Sequence, residues 1–351
     1  MRILIEASNT AVGVSDGYVV EPTGEFDVVL RIPDGELRPG LINAHDHLHR
    51  NHYGRLGSPP YSNAYEWGRD IQDRERERIA VGRALPRREA LLRGAWKNLL
   101  AGVTTVVHHD TWEVEFERNF PLRVVPLHSM HSLGFAKDGL SAPRSLPFAI
   151  HLAEGIDAAS AEEIRRLEGL GLLTSELIAV HVVGADGDGV DRFRGSGAAM
   201  VLCPTSNEFL FSRTVPAPLL ADGIDVLIGS DSLLTGAGSL LDEIRRVRAL
   251  GLLSDERIEL AIGSLAARRL RIAEPSCAPG ARADLVVLGE PLLDACDADV
   301  RLVVCGGMVR VLDPALSGQL DAMASTGRLV ENGGIFRWIF EGDYAPSLSP
   351  S

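Results

Sequence analysis

The sequence predicts an α/β fold, with a (β/α) barrel as the leading architecture and a small β domain beside it. Two observations carry this. From residue 39 to residue 274, apolar strand-like runs alternate with amphipathic helical stretches, which is the pattern of repeated βα units. On both sides of that region the chain is β-rich and broken by turns.

The elements follow in order. Residues 1–38 read as short strands, because RILIEA, GYVVEP and DVVLRI carry β-branched residues between Gly, Asp and Pro. RPGLINAH opens the barrel region at residues 39–274, and its later strands are GVTTVVHH, LRVVPLHS, PFAIHLAE, LIAVHVVG, AAMVLCPTS and DVLIGSDS. Parallel strands read as continuous apolar runs because both their faces are covered. Between them, RREALLRGAWKNLLA and SAEEIRRLEGLGLL place apolar residues at i, i+3 and i+4, as amphipathic helices do. In residues 275–315, GARADLVVLGE and VRLVVCGGMVRV are β-rich again, and they are expected to pair with residues 1–38 in one minor domain. Residues 316–351 form a C-terminal extension whose tip, APSLSPS, has the composition of a disordered end.

The bulk numbers narrow the function. A chain of 351 residues has room for one large domain and a small companion. The net charge of −13 is the wrong sign for a phosphate backbone, so nucleic acid is not an expected partner. No apolar run approaches the ~20 residues of a membrane-spanning helix, so no membrane partner is expected. The start, MRILIEASNTAVGV, lacks the basic flank and long apolar stretch of a secretory signal, so a cytoplasmic location is expected. Cys203, Cys277, Cys296 and Cys305 show no C-x-x-C spacing and read as free thiols.

The chemistry gathers at one end of the strands. In a (β/α) barrel the C-terminal strand ends face the active site. LINAHDH ends in His45 and His47, FAIHLAE gives His151 and Glu154, IAVHVVG gives His181, and VLIGSDS gives Asp231. Residues i and i+2 on a strand point the same way, so His45 and His47 can share one ion while Asp46 faces away. Imidazole nitrogens suit Zn or Fe, and a carboxylate completes such a set. A lone histidine is usually structural, and Asp231 by itself reads equally well as a turn aspartate. Four correctly ordered strand ends are a far more specific signal than any one of them.

These motifs, together with PGLINAHDH, GVTTVV, CPTSN and GARADLVVL, stand in an order that resembles the amidohydrolase superfamily. The likeness is to its mononuclear-metal branch of cyclic-amidine deaminases (adenosylhomocysteine, guanine and cytosine deaminase-like) and triazine-type chlorohydrolases. The resemblance implies a (β/α)8 TIM-like barrel plus a small β-sandwich domain built from both chain ends. It implies that His45, His47, His151 and Asp231 hold one divalent metal ion, Zn first, with Fe or Mn as alternatives. It implies that Glu154 moves protons and that His181 polarises the substrate, with Asp231 joining them in catalysis. The metal would activate water for attack on an sp2 carbon of a small heterocyclic substrate, most simply in hydrolytic deamination of an amino-substituted nitrogen ring. The same site serves hydrolysis of a cyclic amide, an imidazolone-type C–N bond or a carbon–halogen bond. A non-catalytic binding protein is the reading from a different class. A homodimer is the assembly expected of such a chain.

Binuclear relatives bridge two metals with a lysine on the fourth strand. The only lysines are Lys97, in a helix ahead of GVTTVV, and Lys137, in a Gly-flanked loop, so one metal is expected. Two stretches depart from the family pattern. The span between GVTTVV and His151 is short, so one βα unit is expected to be reduced. The loop HLHRNHYGRLGSPPYSNAYEWGRDI clusters Tyr53, Tyr61, Tyr65 and Trp67, with Arg50, Arg55 and Arg69. It reads either as a lid over a flat, anionic heterocycle or as a packed Ω-loop. Tyr53, Trp67, His109, His128 and His131 are the candidates for substrate contact. Of His108 and His109, adjacent on a strand, one is expected to face the pocket and the other to pack outside it.

Overall fold

A computed structural model describes residues 1–135, 141–143, 145–319, 327–332 and 334–340. Lys137 and the APSLSPS tip lie outside the described residues.

The first four strands, β1 (Ile3–Ala7), β2 (Ala11–Ser15), β3 (Tyr18–Val20) and β4 (Val28–Ile32), form one sheet in the order β3-β2-β1-β4. β5 (Glu36–Pro39) leaves it to join a second sheet near the other chain end. The strands that follow are β6 (Leu41–Asp46), β7 (Val103–His108), β8 (Arg123–Val124), β9 (His128–Ser132), β10 (Phe148–Leu152), β11 (Leu177–His181), β12 (Ala199–Leu202) and β13 (Asp225–Ile228). They pair in parallel as β6-β7-β8 and as β9-β10-β11-β12-β13.

Alternate residues of these strands fall in different buried clusters. Phe148, Ile150 and Leu152 belong to one and Ala149 to another; Met200 and Leu202 belong to the first and Val201 to the second. Apolar partners on both faces explain the unbroken apolar runs. β13 also approaches β6: the Asp231 N–H donates to the His45 carbonyl at 3.0 Å. Gly229 permits this approach, because a Cβ there would lie 2.6 Å from the Cβ of His45.

The short span before His151 is compressed as expected. β8 pairs with β7, β9 pairs with β10, and only residues 125–127 separate the two. Val125 continues the first pairing through its N–H to Val106. Arg123–Ser132 is therefore one extended run whose first half borders β7 and whose second half borders β10. No helix intervenes, and Pro126 breaks the ladder at the handover.

Helices α1 (Ala64–Arg74), α2 (Arg76–Arg83) and α3 (Arg87–Leu100) fill the connection from β6 to β7. α4 (Ala158–Gly169), α5 (Gly187–Ser196), α6 (Pro204–Phe211), α7 (Leu240–Ala249), α8 (Asp255–Ala261) and α9 (Ser264–Arg269) follow the later strands. Their starts have local causes. Asp157 caps α4 by accepting from Ser160, Asp186 caps α5 by accepting from Gly189, and Ser239 with Asp242 forms a capping box on α7. Among the described residues no helix is long and apolar enough to cross a membrane.

After the helices, β14 (Leu285–Leu288), β15 (Val300–Cys305), β16 (Met308–Leu312), β17 (Gly327–Asn332) and β18 (Ile335–Phe340) complete the second sheet, ordered β17-β18-β16-β15-β14-β5. Part of the segment expected as a C-terminal extension thus pairs onto this sheet through β16 and β18. One buried apolar cluster takes Ile3, Ile5 and Leu30 from the first sheet and Leu285, Val287 and Leu302 from the second.

Candidate metal centre and active site

The strand ends bring five ionisable side chains together. His45 and His47 come from the end of β6, His151 from β10, His181 from β11 and Asp231 from just past β13. Two sets offer ligand atoms within 4.8 Å of one another: His45, His151 and His181; and His45, His47 and Asp231. His47 and His151 face each other with Nε2 atoms 3.3 Å apart. The Nε2 of His45 lies 3.7 Å from Asp231 Oδ1.

Hydrogen bonds fix which nitrogens are free. His151 Nδ1–H donates to the His131 carbonyl at 2.6 Å, which leaves the Nε2 lone pair available. His181 Nδ1–H donates to Asn207 Oδ1 at 2.8 Å, so its Nε2 is likewise open. Both ring nitrogens of His45, Nδ1 of His47 and Nε2 of His181 are buried with no hydrogen-bond partner. Buried orphan nitrogens that converge with a carboxylate are the donor set of a divalent cation such as zinc. Burial pushes the His45, His47 and His151 rings well below the ordinary histidine range, which keeps them neutral and able to coordinate.

Asp231 stays ionised. Burial opposes its charge, but the hydrogen bonds donated by the hydroxyls of Thr235 and Ser206 help to hold the carboxyl below its ordinary range. Both hydroxyls donate to Oδ2 at 2.8 Å, and the Ser232 N–H donates to Oδ1 at 2.7 Å. Glu154 lies two residues beyond β10, with Oε1 3.5 Å from His181 Nε2. Burial raises it to about 7, against the opposing pull of His181. A carboxyl poised there is suited to taking and returning a proton near neutrality.

The backbone is strained where it delivers these groups. Ala153, His181, Val182 and Asp231 all have positive φ, between 49° and 75°. For a β-branched residue such as Val182 this is a genuine outlier, and such strain collects at functional sites.

A polar layer supports the histidine pair from behind. Asp46 faces away from the site and accepts from Asn51 at 2.9 Å and from Asn98 at 2.7 Å. Lys97 Nζ stands 3.1 Å from Asp46 and donates to the Asp231 carbonyl at 2.8 Å. Gly94, one turn earlier on α3, lets the helix come close: a Cβ there would lie 2.2 Å from the Leu48 carbonyl oxygen. The CPTSN stretch is also part of this support, since Ser206 holds Asp231 and Asn207 holds His181. An amide and a hydroxyl one helical turn after a barrel strand are the sequence signal for this role.

The site opens into a cavity of about 840 Å3. Tyr53, Trp67 and His131 line it, and so do Arg50, Arg69, Arg83 and Phe135. Two candidates belong elsewhere. His128 sits at the N-terminal start of β9, exposed, and its Nε2–H donates to the Ser141 carbonyl, so strand direction puts it at the wrong end for the cavity. His109 is buried behind the metal candidates, 4.0 Å from the His151 ring centroid, with Nε2–H donating to the Met130 carbonyl. His108 is buried too, its Nδ1 accepting from the Leu48 N–H.

His49, His108 and Asp110 form a further group with metal-ligand spacing. Its lone pairs are committed. The His108 Nδ1 lone pair accepts from Leu48, and the His49 Nε2 lone pair accepts from Arg50 Nε–H at 3.3 Å. Each remaining nitrogen therefore carries the ring proton, and the group as it stands offers an ion no imidazole lone pair.

No model of a known protein family matches the chain. Over 159 residues, 43% of this chain and 32% of the relative, it is 30% identical to a 5-methylthioadenosine/S-adenosylhomocysteine deaminase of Nitratidesulfovibrio vulgaris. The chain spans less than a third of the length of the first curated relatives it matches. Its fold is similar to that of an adenosine deaminase from Xanthomonas campestris with bound zinc, at a TM-score of 0.65 and 20% identity over 92% of this chain and 97% of that one. It is also similar to an atrazine chlorohydrolase from Arthrobacter aurescens complexed with zinc, at a TM-score of 0.65 and 14% identity over 88% and 94%. The resemblance read from the motifs agrees with the deaminase relative, and the fold agrees with both solved structures.

Proposed function

We propose that this chain is a metal-dependent hydrolase of the amidohydrolase superfamily that releases ammonia from an amino-substituted nitrogen heterocycle. The observation that carries the reading is the meeting of three neutral, buried histidines and an ionised aspartate beside a glutamate held near neutrality.

His45, His47, His151 and Asp231 would hold one divalent ion, with zinc the best match to a set of three nitrogens and one carboxylate oxygen. A bound cation supplies a Lewis acid that makes water a nucleophile at neutral pH. Glu154 accepts the proton that water gives up and delivers it to the ring nitrogen or the departing amine. His181, its Nδ1–H committed to Asn207, presents Nε2 towards Glu154, where it can share that proton and meet charge developing on the substrate. The aromatic side chains of Tyr53 and Trp67 form walls against which a flat ring can stack.

The barrel would close through the β13–β6 approach, one βα unit short, because β8 and β9 share a single run. The two antiparallel-rich sheets at the chain ends would be a small β-sandwich, their common apolar cluster its core. The deaminase relative favours loss of ammonia over loss of halide, and the chlorohydrolase likeness keeps a carbon–halogen bond as the second substrate type. Purified chain loaded with zinc and offered a panel of aminopurines, aminopyrimidines, pterins and chlorotriazines tests this. Ammonia release from an amino heterocycle supports the reading; chloride release alone moves it to the second type; neither refutes it.

A further inference from the structure

The cavity holds a cation for which the reaction above has no use. Arg50 ends the 3-10 turn Leu48–Arg50, three residues after His47, and lines the cavity with His47, Glu154, His181 and Asp231. Its guanidinium makes one hydrogen bond among the described residues, from Nε–H to His49 Nε2 at 3.3 Å. Its two terminal nitrogens make none, and no described carboxylate lies within ion-pair distance of it. Burial disfavours its charge, and Asp110, Asp231 and Glu154 offset this only from farther away. Arginine stays charged regardless.

The surroundings repeat the sign. Arg83 and Arg87 line the same cavity, and their charges, with that of Arg50, are felt at Tyr53. Arg87 is engaged by Glu113, and Arg83 donates to Gln72 Oε1 at 3.4 Å; of the three, Arg50 is the one set three residues after His47, beside the metal candidates. A withdrawn charge without a counter-charge is costly. A guanidinium beside a divalent-cation site also repels that cation. Both costs fall when an anion binds between them, and the guanidinium fork matches the oxygens of a carboxylate or phosphate.

We propose that Arg50 is an anion-binding residue and that the natural substrate carries a carboxylate or phosphate on, or next to, the ring that is attacked. The ring part of this rests on the deaminase reading; the anion part rests on Arg50 alone. Neutral nucleosides are then poor ligands, and the cavity selects by charge before chemistry begins.

The test is calorimetric binding to the zinc-loaded full chain of two matched pairs: uracil against orotate, which differ by a ring carboxylate, and cytidine against cytidine 5′-monophosphate, which differ by a phosphate. Ammonia release is recorded alongside for the amino members. In at least one pair the anion binds about tenfold or more tightly than its neutral mate. Arg50→Met erases that preference with zinc content and circular dichroism unchanged, and Arg50→Lys retains part of it. Which pair responds separates ring carboxylate from phosphate. No anionic preference in either pair, or a preference left intact by Arg50→Met, overturns the proposal. An anionic preference lost in Arg50→Met, with no ammonia from any amino heterocycle, supports the anion site and counts against deamination alone.

Discussion

Lys97 and Asp46 form a buried ion pair, Nζ to Oδ2 at 3.1 Å, and Asp46 is the residue between His45 and His47. The same ammonium reaches the Asp231 carbonyl, so one side chain from α3 ties together the two strand ends that supply three of the four proposed metal ligands. Removing one partner of a buried pair leaves the other uncompensated, at a cost of about 3–5 kcal/mol. Lys97→Met should lower stability by that order in urea titration. The double variant Asp46→Asn with Lys97→Met should recover part of the loss. Additive losses would show that the pair is not coupled.

Glu154 and Asp231 separate proton transfer from metal binding. Glu154→Gln should keep the metal and lose about 10²–10⁴-fold in kcat, the usual worth of a positioned acid/base group. Elemental analysis beside a rate assay checks this; full activity in Glu154→Gln removes the glutamate from the mechanism.

Asp231→Asn should reduce both metal content and rate, because the amide replaces the one anionic ligand among neutral imidazoles. It should also leave Ser206 and Thr235 donating to an amide oxygen in place of a carboxylate. Unchanged metal content in Asp231→Asn would place the fourth ligand elsewhere.

Glu243 gives a pH dependence of stability. It is buried against Thr205, whose N–H and hydroxyl both donate to it, and burial raises it from 4.5 to about 8. A carboxyl whose folded value is raised binds its proton more tightly in the folded state. Its contribution is complete below 4.5 and is lost as pH climbs through about 8, a change of a few kcal/mol. The Tm of Glu243→Gln, which cannot ionise, should therefore gain on that of the wild type as pH rises across this window. A constant difference would mean that Glu243 is ionised throughout.

The strand ends were legible in the sequence because barrel geometry converts order along the chain into convergence in space. His45, His47, His151, His181 and Asp231 were expected there, and they fall in two overlapping groups that share His45, with Glu154 beside His181. The compressed run Arg123–Ser132 was legible as a shortage of residues. Residues whose role depends on reach or strand direction were not. Lys97 read only as a residue of the helix ahead of GVTTVV, and the close approach at Gly94 is what lets it reach beneath the site. His128 and His131 looked alike, yet one stands at the start of β9 and the other near its end. The cavity wall from α2, including Arg83, lies more than thirty residues after the histidine pair, with no pattern to tie it to them.

The most direct test of the central claim is metal stoichiometry on the purified, zinc-reconstituted full chain by plasma mass spectrometry. The account predicts about one tightly held divalent ion per chain, retained in Glu154→Gln and lost in His45→Ala and His151→Ala. A wild-type chain that takes up no ion, or histidine variants that hold it as well as the wild type, would contradict it.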